Sequence, residues 1–156
     1  MATSLKISRK EAQEMIDRYF EAYPGVRKFL DESVQFAREH SYVPTMYGRK
    51  RHIAQIDSRN FQLRSFAERT AMNHPMQGSA ADIIKLAMIE VEKQFAQLGL
   101  ASKLILQIHD ELDFEVVPEE LERVSSVVKR AMEGVVTLRV PLIAEISYAD
   151  NWADAK

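Results

Sequence analysis

The sequence predicts an α+β fold, in which helices combine with a small antiparallel sheet. Apolar residues recur at the spacing of an α-helix over much of the first hundred positions. After Ser102 the pattern changes to that of extended strands. With 156 residues, 46% of them hydrophobic, the chain is long enough to bury a core. These observations exclude a disordered tail or linker.

Two helices are predicted at the start of the chain. Ser8 and Glu11 form an S-x-x-E capping box, which indicates a helix over about residues 9–22. Pro24 ends this helix, because proline disfavours helical backbone at the residue before it. Proline suits the first turn of a helix, so a second helix is expected to begin there and to end near residue 40.

A basic hairpin is expected to follow the two helices. Residues 41–56 contain several strand-forming residues on either side of Gly48, where the chain is expected to turn. The run Arg49-Lys50-Arg51 begins the second strand. The sequence therefore predicts a short, strongly basic hairpin at this point.

Helical spacing returns near residue 58. Pro75 is expected to interrupt or kink this helix, because proline lacks a backbone N–H. A further helix is predicted over about residues 77–98, and Gly99 is expected to end it as a C′ residue. Two separate helices are thus predicted on the two sides of the proline.

The last third of the chain predicts a β-β-α-β order. The pattern of apolar residues over 104–108 and 112–117 predicts two antiparallel strands joined by an acidic turn. A helix is predicted from Pro118 to about residue 132, and the apolar residues 140–147 predict a last strand.

The composition excludes some classes of site and leaves others open. The formal net charge is only −2, but residues 38–85 hold eight basic against four acidic residues, whereas residues 110–156 hold five against eleven. The charge is therefore divided between two parts of the chain. No cysteine is present, which excludes disulfides and thiolate metal sites. No apolar run of about 18 residues or signal peptide is visible, so a cytoplasmic location is expected.

Two adjacent carboxylates in the predicted acidic turn are the first candidate site. Asp110 and Glu111 lie at the end of an apolar strand, where their oxygens could share one Mg²⁺ or Mn²⁺ ion. A plain polar turn would show the same residues. His109 beside them could be a base, a ligand or simply a packed, hydrogen-bonded histidine.

A set of basic and amide side chains forms the second candidate site. They could be a solvated surface, or they could bind the phosphates, sugars and base edges of a nucleic acid. Spacing favours a common helix face for Asn73 and Gln77, which follow Arg69 at steps of four residues. The full set is Arg49, Lys50, Arg51, Arg59, Arg64, Arg69, Asn73 and Gln77.

Two segments of the sequence closely resemble the C-terminal part of bacterial family A DNA polymerases. They are residues 73–85 (NHPMQGSAADIIK) and residues 107–112 (QIHDEL). Shorter similarities extend the resemblance over essentially the whole chain. These are Ser8–Ala12, Tyr23-Pro24-Gly25, Tyr47-Gly48-Arg49 and Asn151-Trp152.

The resemblance implies a DNA-directed DNA polymerase that acts in DNA replication and repair. Asp110 would be a ligand of the catalytic Mg²⁺ ions, two in the complete enzyme, and Glu111 a supporting carboxylate. The substrates would be a primer-template DNA and a dNTP. Residues that match the primer-template contacts of the family are Arg69, Asn73, Gln77 and His109. Arg49, Arg51 and Arg59 are expected to add DNA-binding charge.

The sequence also departs from the family pattern. We expect that the first metal-binding aspartate and the nucleotide-gripping helix are absent, so that the chain is a fragment with no activity of its own. Residues 1–57 are expected to be the remainder of the fingers, and residues 58–156 the C-terminal part of the palm. Such a fragment is expected to self-associate through surfaces that the rest of the enzyme normally covers. The parent is expected to be cytoplasmic and nucleoid-associated.

Two other functions fit the residue types. A non-catalytic nucleic-acid-binding module would use the basic region alone. A metal-dependent hydrolase would use Asp110 and Glu111, with His109 as the base.

Overall fold

The computed structural model of the protein describes residues 6–155. The chain forms two compact units that divide between Gln77 and Gly78. The mixture of helices and small antiparallel sheets confirms the predicted α+β class. Over the described range, no helix is long and apolar enough to cross a membrane.

The first unit begins with the two predicted helices, α1 (Arg9–Ala22) and α2 (Pro24–His40). The capping box is present at the start of α1. The Glu11 N–H donates to the Ser8 hydroxyl at 3.2 Å, and the Ser8 N–H donates to the Glu11 carboxylate at 2.8 Å. Both helices have the predicted bounds. The capping box marks the start of α1, and Pro24 marks both its end and the start of α2.

The predicted hairpin joins α2 to the rest of the unit. It consists of β1 (Tyr42–Pro44) and β2 (Lys50–His52), which pair in antiparallel register. Gly48 has a φ of +78°, which explains why the turn requires glycine. The hairpin and both neighbouring helices enclose a small core. Its buried residues are Ala37, Val43, Ile53, Ile56, Ala67 and Ala71.

Interruption or a kink was expected at Pro75, and the interruption, with the separate helix predicted from about residue 77, is wrong. A single helix, α3, extends from Phe61 to Leu98 with Pro75 inside it. Proline removes one backbone N–H donor, but the remaining turns on both sides keep their hydrogen bonds, so one lost bond does not end the helix. Asn60 caps its start by accepting the Gln62 N–H at 2.9 Å.

The second unit contains the C-terminal part of α3, a two-stranded sheet and one further helix. Strand β3 (Lys103–Ile108) pairs with β4 (Glu111–Glu115), and the register shifts near Ile105. A short 3₁₀ turn (Pro118–Glu120) leads into α4 (Leu121–Gly134). The buried core lies between α3 and α4. Its residues are Val91, Phe95, Val124, Val127, Val128 and Ala131.

The predicted last strand over residues 140–147 is also wrong, so the β-β-α-β order ends after its helix. No strand is assigned to this segment in the described part of the chain. A strand needs a paired neighbour for its backbone, and within residues 78–155 backbone pairing joins β3 to β4 alone. Instead, the Ala144 N–H donates to the Glu133 carboxylate of α4 at 3.1 Å.

A group of hydrogen bonds to the Glu120 carboxylate, called the clasp below, stabilises the base of the β3–β4 hairpin. Glu120 accepts the backbone N–H of Ala101 at 3.0 Å, the N–H of Ser102 at 3.0 Å and the Ser102 hydroxyl at 2.6 Å. The Ser102 oxygen in turn accepts the Val117 N–H at 3.0 Å. Hydrogen bonds from the Ser102 hydroxyl and then from the Ala101 and Ser102 backbone lower the pKa of Glu120. The clasp therefore depends on an ionised carboxylate.

Glu120→Gln is expected to lower the melting temperature at pH 7 by several degrees, because the amide forms weaker hydrogen bonds than the carboxylate. A lowered folded-state pKa means that the stabilisation is complete above the ordinary value of 4.5 and is lost as the pH falls through the folded-state pKa. The difference in melting temperature between the wild-type chain and Glu120→Gln should thus become smaller at acidic pH. Thermal unfolding over this pH range measures it, with the neighbouring, exposed Glu119→Gln as control. Equal melting temperatures at pH 7 would show that the clasp does not stabilise the hairpin.

Candidate functional site

A two-residue turn presents the predicted acidic pair. Ile108 and Glu111 are the last paired residues of β3 and β4, so only His109 and Asp110 lie between the strands. His109 has a φ of +53°, a conformation that costs free energy for a residue other than glycine. The side-chain amide of Gln107 donates to the His109 carbonyl at 2.7 Å and supports this turn. The turn places Asp110 at the exposed tip and Glu111 at the first position of β4.

Both carboxylates border a broad groove of the second unit, with a volume of about 1330 Å³. The groove is lined by apolar residues of α3 and α4, among them Ile84 and Val128, and by the segment that follows α4. Asp110 and Glu111 are exposed to solvent. A large substrate can therefore approach both oxygen donors from the open side of the groove.

The pair fits one hard divalent cation, because Mg²⁺ in proteins takes one or two carboxylates and completes its shell with water and phosphate oxygens. A fuller ligand set is not formed. Within residues 6–155, no three His, Cys, Asp or Glu side chains lie close enough to hold a metal ion together. Among the described residues, Asp110 and Glu111 therefore offer two carboxylates to a cation and no third such side chain.

Asp113 is a residue that the sequence analysis did not single out. One of its carboxylate oxygens is buried and has no hydrogen-bond partner among the described residues. On β4, Asp113 lies two positions after Glu111 and therefore on the same face of the strand. The sequence offered no signal for it, because an acid between Leu112 and Phe114 is the ordinary alternation of a strand with one apolar and one polar face.

A second cluster lies in the first unit, around a cavity of about 230 Å³. Four residues that were predicted to bind DNA line it: Arg51, Arg69, Asn73 and Gln77. The last three lie one helical turn apart on α3, and Arg51 joins them from β2. Arg69 is held by donating to the Ser65 hydroxyl at 2.7 Å. The predicted common face is present, since the helix is continuous through the proline.

Three further residues complete the lining of this cavity. They are Phe66, Thr70 and His74, which the sequence analysis did not select. Phe66 is 61% exposed, so its ring offers an apolar surface beside the two arginines. Helical spacing alone indicates all three, because each lies three or four positions from Arg69, Asn73 or Gln77. Together, the seven side chains offer guanidinium and amide donors that suit phosphates, sugars and base acceptors.

The remaining predicted residues lie elsewhere. Arg49 is in the hairpin turn and Arg59 precedes α3, and both are exposed and outside the cavity. Arg64 donates to the Ser58 carbonyl at 2.9 Å, so it supports the start of α3. His109 is exposed in the turn of the second unit.

Comparisons with known proteins agree on one family. Residues 1–154 match the family described as DNA polymerase family A. The whole chain is 52% identical to the DNA polymerase I of Caldicellulosiruptor bescii, 51% identical to that of Geobacillus stearothermophilus and 47% identical to that of Bacillus subtilis strain 168. It covers 18% of the length of each of these curated relatives.

A solved structure agrees with this result. The POL domain of Pol1 from M. smegmatis, in complex with a DNA primer-template and dNTP, superimposes with a TM-score of 0.86 at 45% sequence identity. The match covers 90% of this chain and 25% of that chain. The similarity in fold therefore extends over nearly all of the chain, and the relative contains much that the chain does not.

Proposed function

We propose that this chain, which belongs to DNA polymerase family A, is the C-terminal part of a template-directed DNA polymerase. The observation that carries the proposal is the exposed Asp110–Glu111 pair at a hairpin tip, in a chain that matches the family along 154 residues. The substrates are a primer-template DNA and a dNTP, as in the complex of the mycobacterial relative. The reaction joins the nucleotide to the primer 3′-hydroxyl with release of pyrophosphate.

Asp110 and Glu111 are proposed to hold Mg²⁺, with Asp110 as the principal ligand. When bound, two such ions supply charge stabilisation to the attacking hydroxyl and the triphosphate. The chain itself contributes the two-residue turn, the Gln107 bond that supports it and the open groove beside it. These features keep the carboxylates in place while the DNA and the nucleotide approach.

The cavity of the first unit is proposed to bind the primer-template near the growing end. Arg69 and Arg51 would contact phosphates, and Asn73 and Gln77 would donate to acceptors that base pairs of either kind expose in the minor groove. Such contacts detect the shape of a base pair and not its sequence. His109, Arg49 and Arg59 are proposed to contribute further DNA contacts at their own positions.

The chain alone is proposed to be inactive. Its two adjacent carboxylates hold only part of a two-ion site, and no third ligand converges on them within residues 6–155. We assign residues 1–57 to the fingers and residues 58–156 to the palm. Exposed apolar residues of the second unit, such as Ile89, Ile143 and Tyr148, are proposed to be covered in the parent and to cause self-association of the isolated chain. Sedimentation of the chain over a range of concentrations measures this.

A chimera tests the proposed function. The chain replaces the matching 156 residues of the Geobacillus stearothermophilus enzyme, to which it is 51% identical. Primer extension with Mg²⁺ and four dNTPs is then compared for the chimera and for the chain alone. We expect extension by the chimera only. A folded chimera that binds DNA but does not extend primers would favour the non-catalytic binding module. Extension by the chain alone would refute the proposal that the chain lacks a ligand needed for activity.

A further inference from the structure

Four aromatic and imidazole rings form a continuous row in the first unit. The His40 ring stacks on Phe36 with centroids 4.1 Å apart and planes 14° from parallel. Tyr42 contacts His40 at 6.0 Å, and His52 contacts Tyr42 at 6.2 Å, both in T-shaped geometry. Lys50 Nζ lies 4.5 Å from the centroid of the Tyr42 ring. We call Phe36, His40, Tyr42 and His52 the ring row.

The ring row lies on the opposite face of the hairpin from the DNA-binding cavity. Side chains alternate along a strand, so Lys50 and His52 share one face of β2 and Arg51 points to the other. Arg51 lines the cavity and is paired with Val43, which is buried. The ring row is thus a separate surface, and the function proposed above does not use it.

The rings are held in place and remain accessible. His40 Nδ1 lies 3.1 Å from the Phe36 carbonyl oxygen, an arrangement that fixes the imidazole against the phenyl ring. His40 and His52 are both exposed. The T-shaped contact between Tyr42 and His52 joins an edge to a face, so it leaves ring surface that can be covered by another flat group.

The charge around the row favours a polyanion. From residue 38 to residue 52 the chain carries four basic residues and one acidic residue. Arg38 is paired with Glu68 at 2.6 Å and Arg51 lines the cavity, so Lys50 is the cation that adjoins the ring row. The acid, Glu39, already accepts a hydrogen bond from Gln35 at 2.9 Å. Exposed rings combined with positive charge are the features that bind single-stranded nucleic acids, because every base can stack on a ring and every phosphate is attracted to the charge.

We propose that the ring row is a stacking surface for the bases of an unpaired DNA strand. The bases stack on His40 and His52, and Lys50 neutralises a neighbouring phosphate. A duplex hides its base faces inside the helix, so this surface discriminates between paired and unpaired DNA. The cavity of Arg69, Asn73 and Gln77 differs from this surface, because its proposed ligand is base-paired DNA.

Fluorescence anisotropy of labelled dT12 with the 156-residue chain tests the proposal. His40→Ala and His52→Ala are each expected to weaken binding of dT12 about tenfold, the effect of losing one stacked base. His52→Phe keeps a ring and should retain the affinity. A 12-residue abasic strand has the same phosphates without bases, so its weaker binding should be insensitive to the two alanine variants. Lys50→Ala should weaken binding of both strands, whereas Lys103→Ala, in the other unit, is the matched charge control.

Two results would overturn the proposal. Equal affinity for dT12 and for the abasic strand would show that only charge binds the DNA. Equal losses for His52→Phe and His52→Ala would show that no ring is needed. Circular dichroism of each variant verifies that the fold is intact. The test does not involve primer extension, so the chimera can succeed while the ring row fails, and the reverse also holds.

Discussion

Replacing Asp110 by Asn in the chimera is expected to reduce primer extension by at least about a thousandfold. A carboxylate that holds a catalytic cation contributes several kcal/mol of charge stabilisation to the transition state, and each 1.4 kcal/mol is worth about a factor of ten in rate. Asparagine has nearly the same shape but no charge. The two-residue turn and the Gln107 bond to the His109 carbonyl do not require the Asp110 charge, so the hairpin should keep its geometry.

A second readout separates a metal defect from a general loss of function. Binding of Mn²⁺ to the chimera, followed by electron paramagnetic resonance, should weaken in the Asp110→Asn protein. Glu111→Gln should reduce extension less, by about ten- to a hundredfold, as for a group that supports a ligand. Asp17→Asn makes the same change of charge on the exposed surface of α1 and serves as the control. Full extension by the Asp110→Asn chimera would show that Asp110 is not a ligand of the catalytic metal ions.

Local signals explain why much of the fold could be predicted from the sequence. The capping box at Ser8, the proline that begins α2 and the glycines at 48 and 99 act through their own backbone geometry, and the structure has all of these boundaries. The two errors concern features that depend on interactions with other parts of the chain, which no local sequence pattern reveals. The helix continues through Pro75 because neighbouring turns compensate one lost bond, and residues 140–147 form no strand because a strand requires a partner from elsewhere in the chain.

The candidate sites show the same division. Adjacent acids at the end of an apolar strand indicated the hairpin tip, and four-residue steps along α3 indicated the face of Arg69, Asn73 and Gln77. The approach of Arg51 to that face could not be predicted, because it depends on how the hairpin packs on the helix. The ring row was missed for the same reason, since its members come from three elements that meet only in the folded chain.

Phe95→Ala is expected to destabilise the second unit by about 3–5 kcal/mol, the usual cost of removing a buried aromatic ring. Phe95 is 4% exposed, and its ring centroid lies 5.7 Å from that of Phe114 on β4. The same side chain packs in the core that joins α3 to α4. Because Phe114 and Glu111 share one strand, the packing of Phe95 also holds the strand that presents the acidic pair. Chemical denaturation measures the loss of stability.

Phe61→Ala is the matched control, because Phe61 is 71% exposed and its removal leaves no cavity in a core. Small domains have only about 5–15 kcal/mol of stability in total, so the Phe95 variant should lie close to unfolding while the Phe61 variant remains folded. Hydrogen exchange should accelerate over β3 and β4 in the Phe95→Ala protein before the first unit is affected. If exchange in β4 were unchanged, the ring contact with Phe114 would not hold the hairpin. The position of Asp110 would then depend on the clasp at Glu120 and on the turn alone.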